Sequence, residues 1–200
     1  MKTYQVNDIF YSLQGEGKNA GIPAVFIRFA GCNLHCPFCD TDFKHGNTMT
    51  TEQIIQKVQS IVPAELPKLV VLTGGEPTLQ VDEGLLERLH TKFAMIAMET
   101  NGTQSIPKGV DFVTFSPKDD YTNGPESTLG TADEVKVVFD GEHNPEFWAH
   151  RVIARDFFLQ PCDTGFEGKN KAITEKCVQY IKVHPHWRLS LQTHKILGIL

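Results

Sequence analysis

Three cysteines crowd into eight residues of this 200-residue chain: Cys32, Cys36 and Cys39, in Gly31-Cys32-Asn33-Leu34-His35-Cys36-Pro37-Phe38-Cys39-Asp40. Soft thiolates in the spacing C-x₃-C-x₂-C select zinc or iron–sulfur. A structural zinc site wants four closed ligands, usually as two separated pairs, and no second pair follows. The competing readings are a zinc knuckle completed by His35 or His45, and buried thiols that bind nothing. An ordinary [4Fe–4S] cluster takes four cysteines. A loop that supplies three leaves one iron with an open position, as a catalytic metal must have.

S-adenosylmethionine (SAM) can chelate such an iron through its amino and carboxylate groups. Reduction of its sulfonium then cleaves a C–S bond and releases a 5′-deoxyadenosyl radical, so the hard chemistry belongs to the cofactor. Gly74-Gly75-Glu76-Pro77 supports this reading. Glycines at a strand end let the backbone approach a ligand closely, and Glu76 is placed to hold the SAM ammonium group. Alone, that tetrapeptide would be a weak turn motif. Of the other cysteines, Cys177 lies on an apolar helical face and reads as core, and Cys162 ranks as packing before ligation. His184 and His186 read as an exposed loop pair.

The elements that must position these residues show in the apolar runs at 25–29, 69–73, 95–99, 112–116, 135–139, 157–161 and 188–192. They alternate with helical patterns, the signature of a mostly parallel α/β sheet. One helix follows Thr50, with Gln53 placed to complete a capping box and Ile54, Ile55, Val58, Ile61 and Val62 on its apolar face. A second carries Leu85, Leu86, Leu89 and Phe93. A short one begins at Asn144 with Pro145 in its first turn, and another runs after Asn170 with Ile173, Cys177, Tyr180 and Ile181 on one face. The connections 100–111 and 117–132 are too short or irregular for a full helix. A complete (β/α)₈ barrel takes about 250 residues, so a truncated, partly open (β/α) barrel in one domain spanning 1–200 is expected.

Polar clusters fall where the expected strands end: Thr73-Gly74-Gly75-Glu76, Glu99-Thr100-Asn101, Ser116-Pro117-Lys118, Gln160-Pro161 and Gln192-Thr193-His194. Ligands of parallel α/β folds bind at those ends, so five clusters are expected to converge on one mouth. A net charge of −5 argues against a nucleic-acid surface, which needs a basic face. No stretch is long and apolar enough to span a bilayer, and residues 1–8 lack the apolar region of a secretory signal. A cytoplasmic protein is expected. Five cysteines there point to metal or redox chemistry before disulfides.

With these motifs in view, the chain resembles the 7-carboxy-7-deazaguanine synthases, radical SAM enzymes of queuosine and deazapurine biosynthesis. The resemblance rests on Ser12-Leu13-Gln14-Gly15-Glu16-Gly17, Phe26-Ile27-Arg28, the cysteine loop with Asp40-Thr41, Gly74-Gly75-Glu76-Pro77, Glu99-Thr100-Asn101-Gly102-Thr103, Ser116-Pro117-Lys118, Leu159-Gln160-Pro161 and 187–195 with its Gln192-Thr193-His194-Lys195. It spans nearly the whole chain, and Gln-Gly-Glu-Gly and Gln-Thr-His-Lys are its most specific parts. It implies conversion of 6-carboxy-5,6,7,8-tetrahydropterin to 7-carboxy-7-deazaguanine with loss of ammonia, assisted by Mg²⁺. It also implies a reduced barrel, a homodimer, and an electron donor such as flavodoxin or ferredoxin.

Carried onto this chain, the resemblance gives Cys32, Cys36 and Cys39 to the [4Fe–4S] cluster. Phe38 (against the adenine), Cys39, Asp40, Gly75, Glu76, Ser116, Pro117, Lys118, Gln160 and Pro161 go to SAM. Leu13, Gln14, Gly15, Glu16, Arg28, Thr73, Asn101 and His194 go to the pterin, and Thr41 to Mg²⁺. Arg28 makes chemical sense as partner of the substrate carboxylate; the competing reading is a surface ion pair. Asn101-Gly102 also reads as a common turn, as Asp40 and Thr41 read as loop caps. Two other functions stay open: an activating enzyme that makes a glycyl radical on a partner protein, which needs a docking surface, and an iron–sulfur electron carrier, which needs no SAM site.

Overall fold

Alternating apolar runs and helices produce one nine-stranded sheet in the computed structural model, which describes residues 2–62 and 68–199. Of the residues read for a secretory signal, Met1 lies outside the description. The strands are β1 (Thr3–Leu13), β2 (Pro23–Phe29), β3 (Asn47–Thr50), β4 (Leu69–Gly74), β5 (Met95–Thr100), β6 (Phe112–Phe115), β7 (Glu134–Phe139), β8 (Asp156–Pro161) and β9 (Trp187–Leu189). Their order is β3-β1-β2-β4-β5-β6-β7-β8-β9. From β2 to β9 every pairing is parallel; β1 runs antiparallel to both β2 and β3. The sheet is open, with β3 and β9 at its edges, and the chain forms a partial (β/α) barrel.

Strand periodicity sorts the two faces. Val25, Ile27, Phe29, Val70, Leu72, Ile96 and Met98 pack outward against α1 (Thr51–Ile61) and α2 (Glu83–His90), meeting Ile54, Ile55, Val58, Leu85, Leu86 and Leu89. Phe115, Val135, Val137 and Leu159 meet Trp148 of α3 (Glu146–Arg151) and Ile173 and Cys177 of α4 (Glu167–Val183). Each buried aliphatic side chain contributes about 1.5–3 kcal/mol, so these stripes hold the helices in place. Alternate residues face the other way. Phe10, Ala24, Phe26, Leu69, Val71 and Ala97 form an apolar floor inside the curve, and polar side chains follow toward the carboxyl ends of the strands.

The capping box is present: Thr50 Oγ1 accepts from the Gln53 N–H at 3.3 Å, and the Thr50 N–H donates to Gln53 Oε1 at 2.8 Å. The connections 100–111 and 117–132 hold no α-helix. Other expectations shift. Phe93 is core but lies beyond the end of α2. α4 starts at Glu167, before Asn170, whose side chain instead accepts from the Thr164 N–H and hydroxyl. The run at 188–192 pairs only as Trp187–Leu189, because the chain turns at Ser190 into α5 (Thr193–Leu197).

Candidate active site

The cysteine loop leaves β2 at Phe29 and is pressed against the end of β4. Gly75 donates to the Phe29 carbonyl and Glu76 N–H to the Gly31 carbonyl, both at 2.9 Å. A Cβ on Gly75 would collide with the Gly31 carbonyl, and one on Gly74 (φ +123°) with the backbone of Phe29. These glycines admit the cysteine loop, where close approach of a ligand was expected. Glu76 is only 1% exposed. Its Oε1 accepts from the Thr78 N–H (3.1 Å) and hydroxyl (2.6 Å) and the Thr100 hydroxyl (2.8 Å), and its Oε2 accepts from the Asn101 N–H (2.7 Å). Asn101 in turn donates from Nδ2 to Asn33 Oδ1 at 3.0 Å. Three motifs far apart in the chain are thus one hydrogen-bonded unit, and Asn101 serves it with a side chain expected to meet substrate.

The other flank of the loop is held by the C-terminal segment. Lys195 Nζ lies 2.6 Å from Asp40 and 2.8 Å from Asp163. Burial works against ionisation of Asp40, but Lys195 outweighs it and keeps the carboxyl below its ordinary range. Cys32 and Cys36 are half-buried and Cys39 is exposed; Cys177 is core, as expected, and Cys162 is buried beside the cavity. Burial raises the thiols of Cys32 and Cys36. His45, a candidate fourth zinc ligand, has Nδ1 2.9 Å from Asp42. The donor set, three thiols on one loop beside a cavity, suits a [4Fe–4S] cluster with one iron left open. Among the described residues no three His, Cys, Asp or Glu side chains converge on a single metal ion, whereas in a [4Fe–4S] cluster each thiolate takes its own iron.

A cavity of about 500 Å³ opens at the carboxyl ends of the strands. Its lining includes Cys32, Cys36, Phe38, Cys39, Asp40, Gly75, Glu76, Ser116, Lys118, Gln160 and Pro161 from the cluster and SAM assignments. It includes Leu13, Gln14, Gly15, Glu16, Arg28, Thr73, Asn101 and His194 from the pterin assignment, and Thr41. Pro117 is not part of the lining. Lys118 donates to the carbonyl (2.8 Å) and hydroxyl (2.5 Å) of Ser116. Burial pulls its ammonium down to about 8, against the attraction of the Cys36 thiol.

Arg28 projects from β2 into this cavity, over the ring of Phe10 at 5.4 Å. Its Nε is buried with no hydrogen-bond partner, and among the described residues it forms no ion pair. Asp8, opposite it in register, accepts instead from the Ile9 N–H at 2.8 Å. A surface ion pair is thereby excluded. A buried guanidinium nitrogen left unpaired is costly, and an anionic ligand would satisfy it.

Sequence reading missed Lys136 as a site residue and gave no role to Glu99, which it placed at the mouth, or to Lys195, which it quoted only within Gln192-Thr193-His194-Lys195. Lys136, in the middle of β7, is buried and ion-paired to Glu16 and, at 3.6 Å, to Glu99. Its signal was legible: a lysine inside the run Glu134–Phe139 of a strand buried on both faces requires a buried counter-charge. Burial alone would lower the Lys136 ammonium and raise the Glu16 carboxyl; their mutual attraction outweighs it and moves both the other way.

The two most specific motifs meet each other. The Thr193 hydroxyl donates to the Gly15 carbonyl at 2.8 Å, and the Gly17 N–H to Ser190 Oγ at 3.0 Å. A Cβ on Gly15 would collide with His194, and one on Gly17 (φ +64°) with the Glu134 carboxylate. The loop after β1 is therefore tied to the segment that follows β9.

This geometry has close relatives. The Radical SAM superfamily model matches residues 26–119. The 7-carboxy-7-deazaguanine synthase of Bacteroides thetaiotaomicron is 48% identical over 195 residues, covering 98% of either chain. That of Bordetella pertussis is 41% identical over 98% of this chain and 99% of its own. The crystal structure of QueE from Escherichia coli superposes with a TM-score of 0.72 at 25% identity, covering 94% of this chain and 93% of that one. Cysteine loop, glycine latch, cavity and whole-length identity agree: the chain belongs to the 7-carboxy-7-deazaguanine synthase family of radical SAM enzymes.

Proposed function

We propose that this protein converts 6-carboxy-5,6,7,8-tetrahydropterin to 7-carboxy-7-deazaguanine with release of ammonia, feeding queuosine and 7-deazapurine synthesis from the cytoplasm. The observation that carries the reading is Arg28, an unpaired, partly buried cation inside the cavity of a chain from this family. Residues 1–200 act as one radical SAM domain, as a homodimer served by a flavodoxin- or ferredoxin-type donor; no helix among the described residues is long and apolar enough to cross a membrane. When bound, a [4Fe–4S] cluster on Cys32, Cys36 and Cys39 with SAM supplies a 5′-deoxyadenosyl radical.

The chain's own residues bind and orient. Arg28 takes the pterin carboxylate, while residues Leu13 to Glu16, with Thr73, Asn101 and His194, surround the ring. Phe38, Cys39, Asp40, Gly75, Glu76, Ser116, Lys118, Gln160 and Pro161 hold SAM, and Glu76 has acceptor capacity left on Oε2 for its ammonium. The substrate loses its hydrogen at C6, contracts its ring and expels ammonia, with SAM used catalytically. Anaerobic reconstitution followed by chromatographic detection of the deazaguanine tests the reading; SAM cleavage without that product would overturn it.

Mg²⁺ is assigned to Thr41. Asp40 is committed to Lys195 and Asp42 to His45, which leaves the Thr41 hydroxyl as the hard oxygen of this stretch that no ion pair draws away. Magnesium keeps most of its waters and takes few protein oxygens, so one hydroxyl with the substrate carboxylate suffices. Thr41→Ala is expected to cut turnover roughly 10²-fold, as for loss of one electrostatic stabiliser. Stimulation by added magnesium should shrink while the cluster spectrum and SAM binding persist. Unchanged turnover and magnesium dependence would place the ion elsewhere.

A further inference from the structure

We infer that Lys136 is a positioning residue that holds Glu16 and Glu99 side by side as acceptors for the N–H edge of the substrate's amino-pyrimidine ring, a reading that rests on the proposed pterin substrate. Lys136 reaches the cavity from mid-β7 and pairs with both carboxylates, one from the loop after β1 and one from the end of β5. Glu99 is held further: Oε1 accepts from Gln14 Nε2 at 3.0 Å and Oε2 from the Thr73 hydroxyl at 3.2 Å. A buried ion pair does little for stability, and breaking one leaves an uncompensated charge. Its retention inside a ligand cavity therefore points to use.

One ammonium facing two carboxylates leaves a surplus negative charge and spare acceptor lone pairs. A 2-amino-4-oxopyrimidine presents adjacent N–H donors, the complement of such a floor. With Arg28 taking the carboxylate, the cavity acquires a polarity that orients the ring. Lys136 acts through the carboxylates, since its attraction keeps Glu16 ionised against burial. The other charged groups around it are Glu134 on its own strand, Lys118 from the segment after β6 and His194 from α5. Glu134 is kept out of this role because burial raises its carboxyl, and it accepts from the Lys18 N–H and the Thr114 hydroxyl.

The test measures binding of fluorescent 6-carboxypterin, and of 6-carboxylumazine with an oxygen in place of the 2-amino group, to reconstituted SAM-loaded enzyme. For the wild type, affinity for the pterin should be flat between about pH 5.5 and 7.5 and exceed that for the lumazine at least roughly tenfold. In Lys136→Met the carboxylates lose their partner, and burial, no longer offset, raises the Glu16 carboxyl. Pterin binding should then be at least roughly tenfold weaker at the acid end, recover as pH rises, and show less than about twofold preference. If Lys136→Met does not fold, Lys136→Met/Glu16→Gln removes both charges and should lose the preference equally. A folded variant with wild-type affinity and preference, or a wild type with no preference, overturns the inference. A wild type that turns over no carboxytetrahydropterin removes the substrate reading and this inference with it.

Discussion

Replacing Cys32, Cys36 or Cys39 singly by alanine should abolish both the brown iron–sulfur chromophore and all turnover. On the proposed assignment each thiol is one of three protein ligands from a single loop; Cys177 is sealed in the core between α4 and the sheet, and His45 is engaged by Asp42. The loop itself should survive, because Glu76, Asn101 and Lys195 hold it through backbone and side-chain contacts that do not involve sulfur. Circular dichroism should therefore stay close to wild type while absorbance near the cluster bands disappears. Cys177→Ala is the control and should keep a full complement of iron per folded protein. A single loop variant that keeps wild-type iron content and turnover would show the ligand assignment to be wrong.

Arg28→Met should weaken binding of the carboxylated pterin by ~2–5 kcal/mol, or about 30- to 5,000-fold in Kd. Methionine keeps contact with Phe10 but offers nothing to a carboxylate, which then loses water without gaining a partner. The unpaired Nε of the free protein works in the same direction, since ligand binding relieves a cost the wild type already carries. SAM binding and the cluster should be untouched, as Arg28 lies on β2 and contacts neither the Ser116–Lys118 pair nor Glu76 in the bonds observed. Titration calorimetry with and without SAM separates the two ligands. An unchanged pterin Kd would move the carboxylate site, with Lys118 or His194 the next candidates.

Strands with clean apolar runs were legible because both faces are buried and the pattern is continuous. β1 was not. Asn7 and Asp8 are poor strand formers, and the register slips between Val6 and Asp8. The buried set thus passes from Tyr4 and Val6 to Ile9 and Phe10, and a period of two never completes. β3 is four residues at an edge, too short for any pattern. The convergence of strand-end clusters could be read because parallel topology fixes where strands end. The division of labour inside the cluster could not: Asn101 reads the same whether it meets a ligand or Asn33, and Gly75 whether it admits a ligand or Gly31. Partners distant in sequence decide both. Lys136 carried a signal that strand periodicity alone passes over, a charge in a doubly buried strand.

The most direct measurement feeds the reconstituted enzyme 6-carboxytetrahydropterin deuterated at C6 under reducing, anaerobic conditions. Many turnovers per SAM are expected, with deuterium appearing in recovered SAM as 7-carboxy-7-deazaguanine accumulates. Product formed with one SAM consumed and one 5′-deoxyadenosine released per turnover, or with no label in SAM, would contradict that expectation.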